Sequence, residues 1–143
     1  MTYKDFKKHF QDRAIKEYGF KKIGSRVYYI NDDVIIVFDI VKSVYSNSLS
    51  RFDLGVTLIE ASKFKVEKME QIDSDSSDIG VSLVDGKYVE LDEIDDFNKY
   101  DEIFDEYFKV IFPKLLSISS IREMIKSGEL YSRDRIKNFL NLN

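Results

Sequence analysis

The sequence predicts an α+β fold: an N-terminal helix, an antiparallel sheet of about five strands, and C-terminal helices packed on the sheet. Two observations carry this prediction. Apolar residues recur every three or four positions near both ends of the chain, whereas runs rich in β-branched and aromatic residues fill its middle. With 143 residues, of which 43% are hydrophobic, residues 1–143 are expected to form one domain with its own core.

The first predicted element is an amphipathic helix over residues 3–18. Its apolar residues share one face of the helix because they are spaced three or four positions apart. Gly19 follows, and glycine is the residue that most often ends a helix in the left-handed conformation. The apolar positions are Tyr3, Phe6, Phe10, Ala14 and Tyr18.

A β-hairpin is predicted next. The β-rich runs 26–30 and 34–41 flank the turn cluster Asn31-Asp32-Asp33, which favours a chain reversal. Residues 44–48 follow and are predicted to form a loop.

A further strand is predicted from Phe52 to Leu58, where apolar residues alternate with Asp53, Gly55 and Thr57. Alternation at period two is typical of an antiparallel strand with one buried face, so these three residues are expected to face solvent.

A second hairpin is predicted around Asp85-Gly86, between the runs 81–84 and 87–91, because both residues of such a turn must accept a positive φ. Before it, the stretch Asp73–Asp78 is predicted to be a flexible acidic loop. It lacks the glycine and glutamate that a helix–loop–helix calcium site needs at its sixth and twelfth positions.

Helices are predicted for the last third of the chain. A long helix from about Phe97 to Leu116 carries an aromatic stripe for the sheet, and Pro113 is expected to kink or break it. Ser120-Ile121-Arg122-Glu123 has the pattern of a capping box for another helix, which Gly128 would end. A last short helix is expected around residues 136–140.

Several short motifs in this order resemble a family of small bacterial domains, domain of unknown function 4304. The resemblance implies an uncharacterised domain and brings no activity with it. Small acidic domains of this kind can resemble immunity proteins that neutralise a partner toxin. The motifs are Gly19-Phe20, Ile40-Val41-Lys42-Ser43, Asp53-Leu54-Gly55-Val56, Ile79-Gly80 and Pro113-Lys114-Leu115.

Composition excludes several classes of function. The chain has no cysteine and one histidine, so thiol catalysis and sites that need cysteine ligands or several imidazoles are excluded. No cofactor site, metal site or catalytic residue is predicted. The longest apolar run, residues 34–38, is too short for a membrane helix and no secretory signal begins the sequence, so a cytoplasmic protein that does not bind membranes is expected.

Charge is segregated along the chain. Residues 1–26 hold eight basic and three acidic residues, whereas residues 70–106, the acidic segment, hold two basic and fourteen acidic residues. Because the net charge is −4, nucleic acid is not a predicted partner, and the early lysines are interpreted as a solvated helix face. The acidic segment is interpreted as a solvated surface, as acids that pair within the fold with the basic end segments, or as a surface that attracts a basic partner.

The sequence therefore predicts a non-catalytic protein-binding domain whose acidic surface engages a basic protein partner, with immunity-like toxin neutralisation as one form. The alternative is a small-molecule-binding or hydrolytic domain, with a pocket between the sheet and the C-terminal helices that holds Lys42, Arg51 or His9 beside a carboxylate. A purely structural subunit is a third interpretation, and the oligomeric state is not predicted. The predicted binding residues are Tyr88, Asp92, Glu93, Asp95, Asp96 and Asp101.

Overall fold

The computed structural model describes residues 3–42, 49–62, 66–74, 76–82, 89–90 and 98–142. These residues form an antiparallel sheet with helices packed against it, in the α+β arrangement that the sequence predicts. The α-helices are α1 (Tyr3–Tyr18), α2 (Ile59–Ser62), α3 (Asn98–Glu106), α4 (Ile118–Lys126) and α5 (Asp134–Phe139). The strands are β1 (Lys21–Ile23), β2 (Arg26–Ile30), β3 (Val34–Lys42), β4 (Leu49–Leu58), β5 (Ile79–Ser82) and β6 (Val89–Glu90).

Helix α1 has the predicted bounds. Phe6, Phe10 and Ala14 are fully buried, as the spacing of apolar residues requires. Gly19 has φ 77°, and the N–H of Phe20 donates to the carbonyl of Ala14 at 3.2 Å, which closes the end of the helix. The predicted C-terminal glycine is therefore confirmed.

The first hairpin is confirmed and the sheet is built outward from it. Strands β2 and β3 pair antiparallel, and the Asn31 side-chain oxygen accepts from the backbone N–H groups of Asp33 and Val34 at 2.8 and 2.9 Å. The strand order is β1-β2-β3-β4-β5. The lysine-rich β1, which extends the sheet beside β2, was not predicted because Lys21-Lys22 carries no apolar alternation.

The second predicted hairpin differs from the structure. Strands β5 and β6 both pair antiparallel with β4, so they run in the same direction along it instead of pairing with each other as hairpin arms. The Asp85-Gly86 turn itself, like the predicted loop 44–48, lies outside the described residues.

One face of the sheet forms the main core with α1 and α3. Phe38 on β3 packs edge-on against Phe108, with ring centroids 5.1 Å apart, and Phe108 stacks on Phe104 at 4.2 Å. Phe6 of α1 stacks on Phe52 of β4 at 5.4 Å. The aromatic stripe therefore packs on the sheet as the helical spacing predicts, and these contacts fill the space between the sheet and α3.

The opposite face of the sheet is also covered, which corrects the expectation that it meets solvent. Tyr28, Val37 and Ile72 belong to a second apolar cluster there, and the Tyr28 hydroxyl donates to the carbonyl of Ile72 at 2.8 Å. On β4, Asp53 and Thr57 are buried rather than solvated. The cover is the chain between β4 and β5, which includes a 3₁₀ helix at Val66–Gln71.

The described part of the stretch Asp73–Asp78 belongs to this cover and is not a free acidic loop. Ser74 and Ser77 are buried, because their hydroxyls reach carboxylates of the sheet or carbonyls of their own turn. The Ser74 hydroxyl lies 3.3 Å from Asp39 Oδ2 and 3.4 Å from Asp53 Oδ2, and these two aspartates stand opposite each other on β3 and β4. Polar side chains thus hold this segment on the sheet.

The C-terminal third is helical but less regular than predicted. The α-helical part of the long helix ends at Glu106 and continues as a π turn over Tyr107–Ile111 and a 3₁₀ turn over Phe112–Leu115. Pro113 lies in the 3₁₀ turn, so the predicted break is confirmed, and the widened turn before it accommodates the missing donor.

The next helix, α4, begins earlier than the predicted capping box. Its N-cap is Ser117, whose hydroxyl oxygen accepts from the N–H of Ser120 at 3.1 Å. Gly128 follows its end at φ 86°, as predicted, and α5 is the expected last short helix.

Candidate functional site

Most of the predicted binding residues lie outside the described residues. These are Tyr88, Asp92, Glu93, Asp95 and Asp96. The structure describes Asp101, in the first turn of α3.

Asp101 is engaged inside the fold. Its Oδ1 atom accepts a hydrogen bond from Arg13 Nη1 at 3.1 Å and lies 2.9 Å from His9 Nε2, so the carboxylate links α3 to α1. About a quarter of the side chain, 28%, remains exposed. A partner that binds Asp101 would therefore meet a carboxylate whose charge is already shared with two groups of α1.

Arg13 is the centre of this cluster. Besides Asp101 it donates from Nη2 to Asp105 Oδ1 at 2.7 Å and forms a two-point contact with Glu17, while its guanidinium lies 4.4 Å from the centre of the Phe104 ring. The hydrogen bonds to Glu17 are the main reason that the pKa of Arg13 is raised, and they lower the pKa of Glu17. The cluster joins the charged faces of the two helices above the aromatic core.

His9 contacts α3 through Asp101, whose Oδ1 atom lies 2.9 Å from His9 Nε2. Asp12 pairs with Lys8 at 3.2 Å. The His9 ring stands edge-on to Phe10, with centroids 4.7 Å apart, and about a third of its side chain is exposed. Asp101 as its partner could not be found by local spacing, because the two residues are 92 positions apart.

Replacing Arg13 by methionine is expected to lower the free energy of unfolding by about 1–2 kcal/mol at neutral pH. The methionine keeps an apolar contact with Phe104, but Asp101 and Asp105 lose the cation between them. The pKa of Glu17 is lowered in the folded state, so its ion pair with Arg13 contributes fully to stability above the pKa that Glu17 has in the unfolded chain. This contribution to stability is lost as the pH falls through the lower pKa of the folded state.

Urea unfolding of the natural protein and of Arg13→Met would measure the change in unfolding free energy. The difference in unfolding free energy between the two proteins should shrink as the pH is lowered toward about 3. Lys16→Met, at an exposed position of the same helix, is the matched control. A pH-independent difference would show that the lost stability is packing and not charge.

A basic cleft lies on another side of α1, between this helix and the β1–β2 hairpin. It has a volume of about 530 Å³. Lys4, Lys7 and Lys8 of α1 and Lys22 of β1 line it, and most of its surface is apolar. The sequence predicts a solvated helix face for these lysines, whereas the fold brings them to one concave surface.

The basic cleft continues into a smaller recess of about 230 Å³. Lys7 and Tyr3 line both, and the recess adds Arg26 and Asp39. Burial lowers the pKa of Lys7, with Arg26 and Lys22 lowering it further and Asp39 opposing them. The Tyr3 hydroxyl is fixed by donating to the carbonyl of Ile40 at 2.7 Å.

A second cleft, of about 340 Å³, lies where α5 meets the covered face of the sheet. Its buried acid, Asp78, accepts from the N–H of Leu58 at 2.9 Å, from the Ser62 hydroxyl, and from Arg135 Nη2. Arg135 also donates to the carbonyl of Ala61 at 3.1 Å. Because its oxygens are occupied by these donors, Asp78 serves to attach α5 and the chain after β4 to the start of β5.

Comparison of this chain with models of protein families, with curated proteins and with solved structures finds no match. Among the residues that the structure describes, no group of three or more acidic or histidine side chains is placed to hold a metal ion. Within the same residues, no helix is long and apolar enough to cross a membrane.

Proposed function

We propose that this chain is a non-catalytic binding domain that engages a basic protein partner through the acidic segment. The observation that carries the proposal is the fourteen acidic residues within residues 70–106 together with the exposure of Glu102 and Glu106 on α3. These two glutamates lie four positions apart and therefore share one stripe of the helix. Such a surface attracts a basic partner over long range and accelerates its association.

Helix α3 divides its acids between two uses. Asp101 and Asp105 contact Arg13 and hold α3 on α1, whereas Glu102 and Glu106 face solvent. Asp95 and Asp96 precede α3 in the chain, and we include them in the proposed acidic surface because of their charge. The proposed charged contact residues from the sequence are Asp92, Glu93, Asp95 and Asp96, and the exposed residues Glu102 and Glu106 of α3 are added to them. Tyr88 is proposed as an apolar anchor.

An immunity-like role is a narrower form of the same proposal. It requires the basic partner to be a toxin whose activity is lost in the complex. Membership of the family of domain of unknown function 4304 stays a prediction and adds no residue to the proposed surface.

Reversing charge in the acidic surface is expected to slow association with the partner by about tenfold at low salt. The partner would first be isolated on the tagged protein and identified, and its association rate then measured by surface plasmon resonance at low and high salt. The test variants are Asp95→Lys with Asp96→Lys, and Glu102→Lys with Glu106→Lys. Each should also weaken the dependence of the rate on salt.

The matched control reverses another adjacent pair of acids, Asp32→Lys with Asp33→Lys, which are exposed in the β2–β3 turn outside the acidic segment. This variant should change the rate much less. A partner that is itself acidic, or one whose association ignores both acidic-surface variants, would contradict the proposal.

A further inference from the structure

The basic cleft has the shape and size of a small-molecule site. Its volume of about 530 Å³ lies within the range that small ligands occupy, and its surface is mostly apolar with a few charged groups, as in ligand pockets generally. Two separate elements build it: α1 contributes three lysines and β1 contributes Lys22. The cleft is thus a product of the fold and not of one helix face.

The positive charges of the basic cleft are only partly balanced by the described part of the protein. Asp12, the acid that lines the cleft, is 3.2 Å from Lys8. No carboxylate of a described residue lies within ion-pair distance of Lys7 or Lys22. Cations held close together in this way repel one another, and an anion bound between them would relieve the repulsion.

Lys7 is partly buried in the basic cleft. It lines both the basic cleft and the smaller recess, and its ammonium lies 5.9 Å from the centre of the Tyr3 ring. The groups near it are Tyr3 on its own helix, Lys22 on β1, Arg26 on β2 and Asp39 on β3, and Asp73 also lines the recess. Burial is the main cause that lowers the pKa of Lys7. Asp39 opposes it, whereas Arg26 and Lys22 lower the pKa further, and the net effect is that folding disfavours the charged form. Proteins tolerate such costs at sites that bind ligands.

We infer that the basic cleft binds a small organic anion whose phosphate or carboxylate group contacts Lys7 and Lys22 and whose apolar body lies against the cleft wall. This inference does not depend on the proposed basic partner. A compact anion fits better than a nucleic-acid strand, because the cleft is closed on two sides by α1 and the hairpin and the chain carries a net charge of −4.

Calorimetric titration with matched probes tests the inference. Naphthyl phosphate and naphthoate carry an anionic group on an apolar body, naphthol is the neutral counterpart, and inorganic phosphate is the anionic group alone. At least one of the two naphthyl anions should bind at one site, at least about tenfold more tightly than naphthol or inorganic phosphate. Chemical shifts in the NMR spectrum should change for α1 and the β1–β2 hairpin.

Variants of the lysines separate binding from folding. Lys7→Met and Lys22→Gln should each weaken binding of the naphthyl anion by about tenfold, whereas Lys16→Gln, at an exposed position of α1 outside the cleft, should leave it unchanged. Lys7→Met should unfold at the same or a higher temperature than the natural protein, because it removes a desolvated charge. A lysine with a structural role would instead lower that temperature.

Three results would overturn the inference: absence of saturable binding by both naphthyl anions, equal binding of naphthol, or binding that Lys7→Met leaves unchanged. Tighter binding of a short single-stranded oligonucleotide through the same lysines would also overturn it, in favour of a nucleic-acid site.

Discussion

Replacing Gly55 by alanine is expected to lower the free energy of unfolding by about 3 kcal/mol. A Cβ atom at this position would overlap the Ser77 hydroxyl and would lie 2.8 Å from Ser77 Cβ and 3.0 Å from Ser74 Cα. The last contact is with backbone, so rotating a side chain does not relieve it. The alanine would therefore push the covering segment away from β4 and expose the second apolar cluster.

The structure provides a matched control for this prediction. Gly80 is paired directly opposite Gly55 in the sheet, and a Cβ atom there would meet nothing within 4 Å. Gly80→Ala is expected to change the stability by less than about 0.5 kcal/mol, and chemical denaturation of the two variants compares them. A loss in Gly80→Ala equal to that in Gly55→Ala would mean that the close approach of the cover is not the cause.

A second substitution locates the clash. Adding Ser77→Gly to Gly55→Ala removes the two side-chain contacts but leaves the one with Ser74 Cα, so stability should recover only in part. The natural Ser77 hydroxyl donates to the carbonyl of Asp73 at 2.8 Å, and Ser77→Gly alone therefore has its own small cost that must be measured. No recovery in the double variant would contradict the assignment of the clash to Ser77.

Replacing Asp78 by alanine is expected to cost about 3 kcal/mol of unfolding free energy. The carboxylate is buried, and its removal leaves the Leu58 N–H, the Ser62 hydroxyl and Arg135 without this acceptor. Because Arg135 belongs to α5, hydrogen exchange should become faster in α5 and at the end of β4 before it changes elsewhere.

Replacing the arginine of this ion pair is expected to cost less stability than replacing the buried aspartate. Half of the Arg135 side chain is exposed, so Arg135→Met is expected to cost about 1 kcal/mol, much less than the loss of the buried acid. Asp32→Ala, at an exposed turn position, is the control for loss of an aspartate and should change stability little. Equal costs for Asp78→Ala and Arg135→Met would show that the ion pair, and not the buried hydrogen bonds, supplies the stability.

The cluster around Arg13 and the basic cleft show why the candidate sites were only partly predictable from the sequence. Asp101 was named as a candidate because acids are visible in the sequence, but its contact with Arg13 depends on two helices that are distant in the chain. The lysines were likewise visible, yet a periodic pattern on α1 cannot show that Lys22 of β1 lies across from them. The spacing of residues along the sequence predicts which side chains are neighbours on one helix or strand. It does not predict which residues of another element lie beside them.

The sequence by itself determined α1, the β2–β3 hairpin, the break before Pro113 and the α+β order, because periodic apolar residues, turn residues and proline act through local backbone geometry. Only the tertiary structure decided that Asp53, Gly55 and Thr57 are covered and that β5 and β6 both pair with β4. A strand whose polar face is hydrated and a strand whose polar face is hydrogen-bonded to another segment show the same alternation of apolar and polar residues. The choice between them depends on hydrogen bonds formed when distant parts of the chain meet.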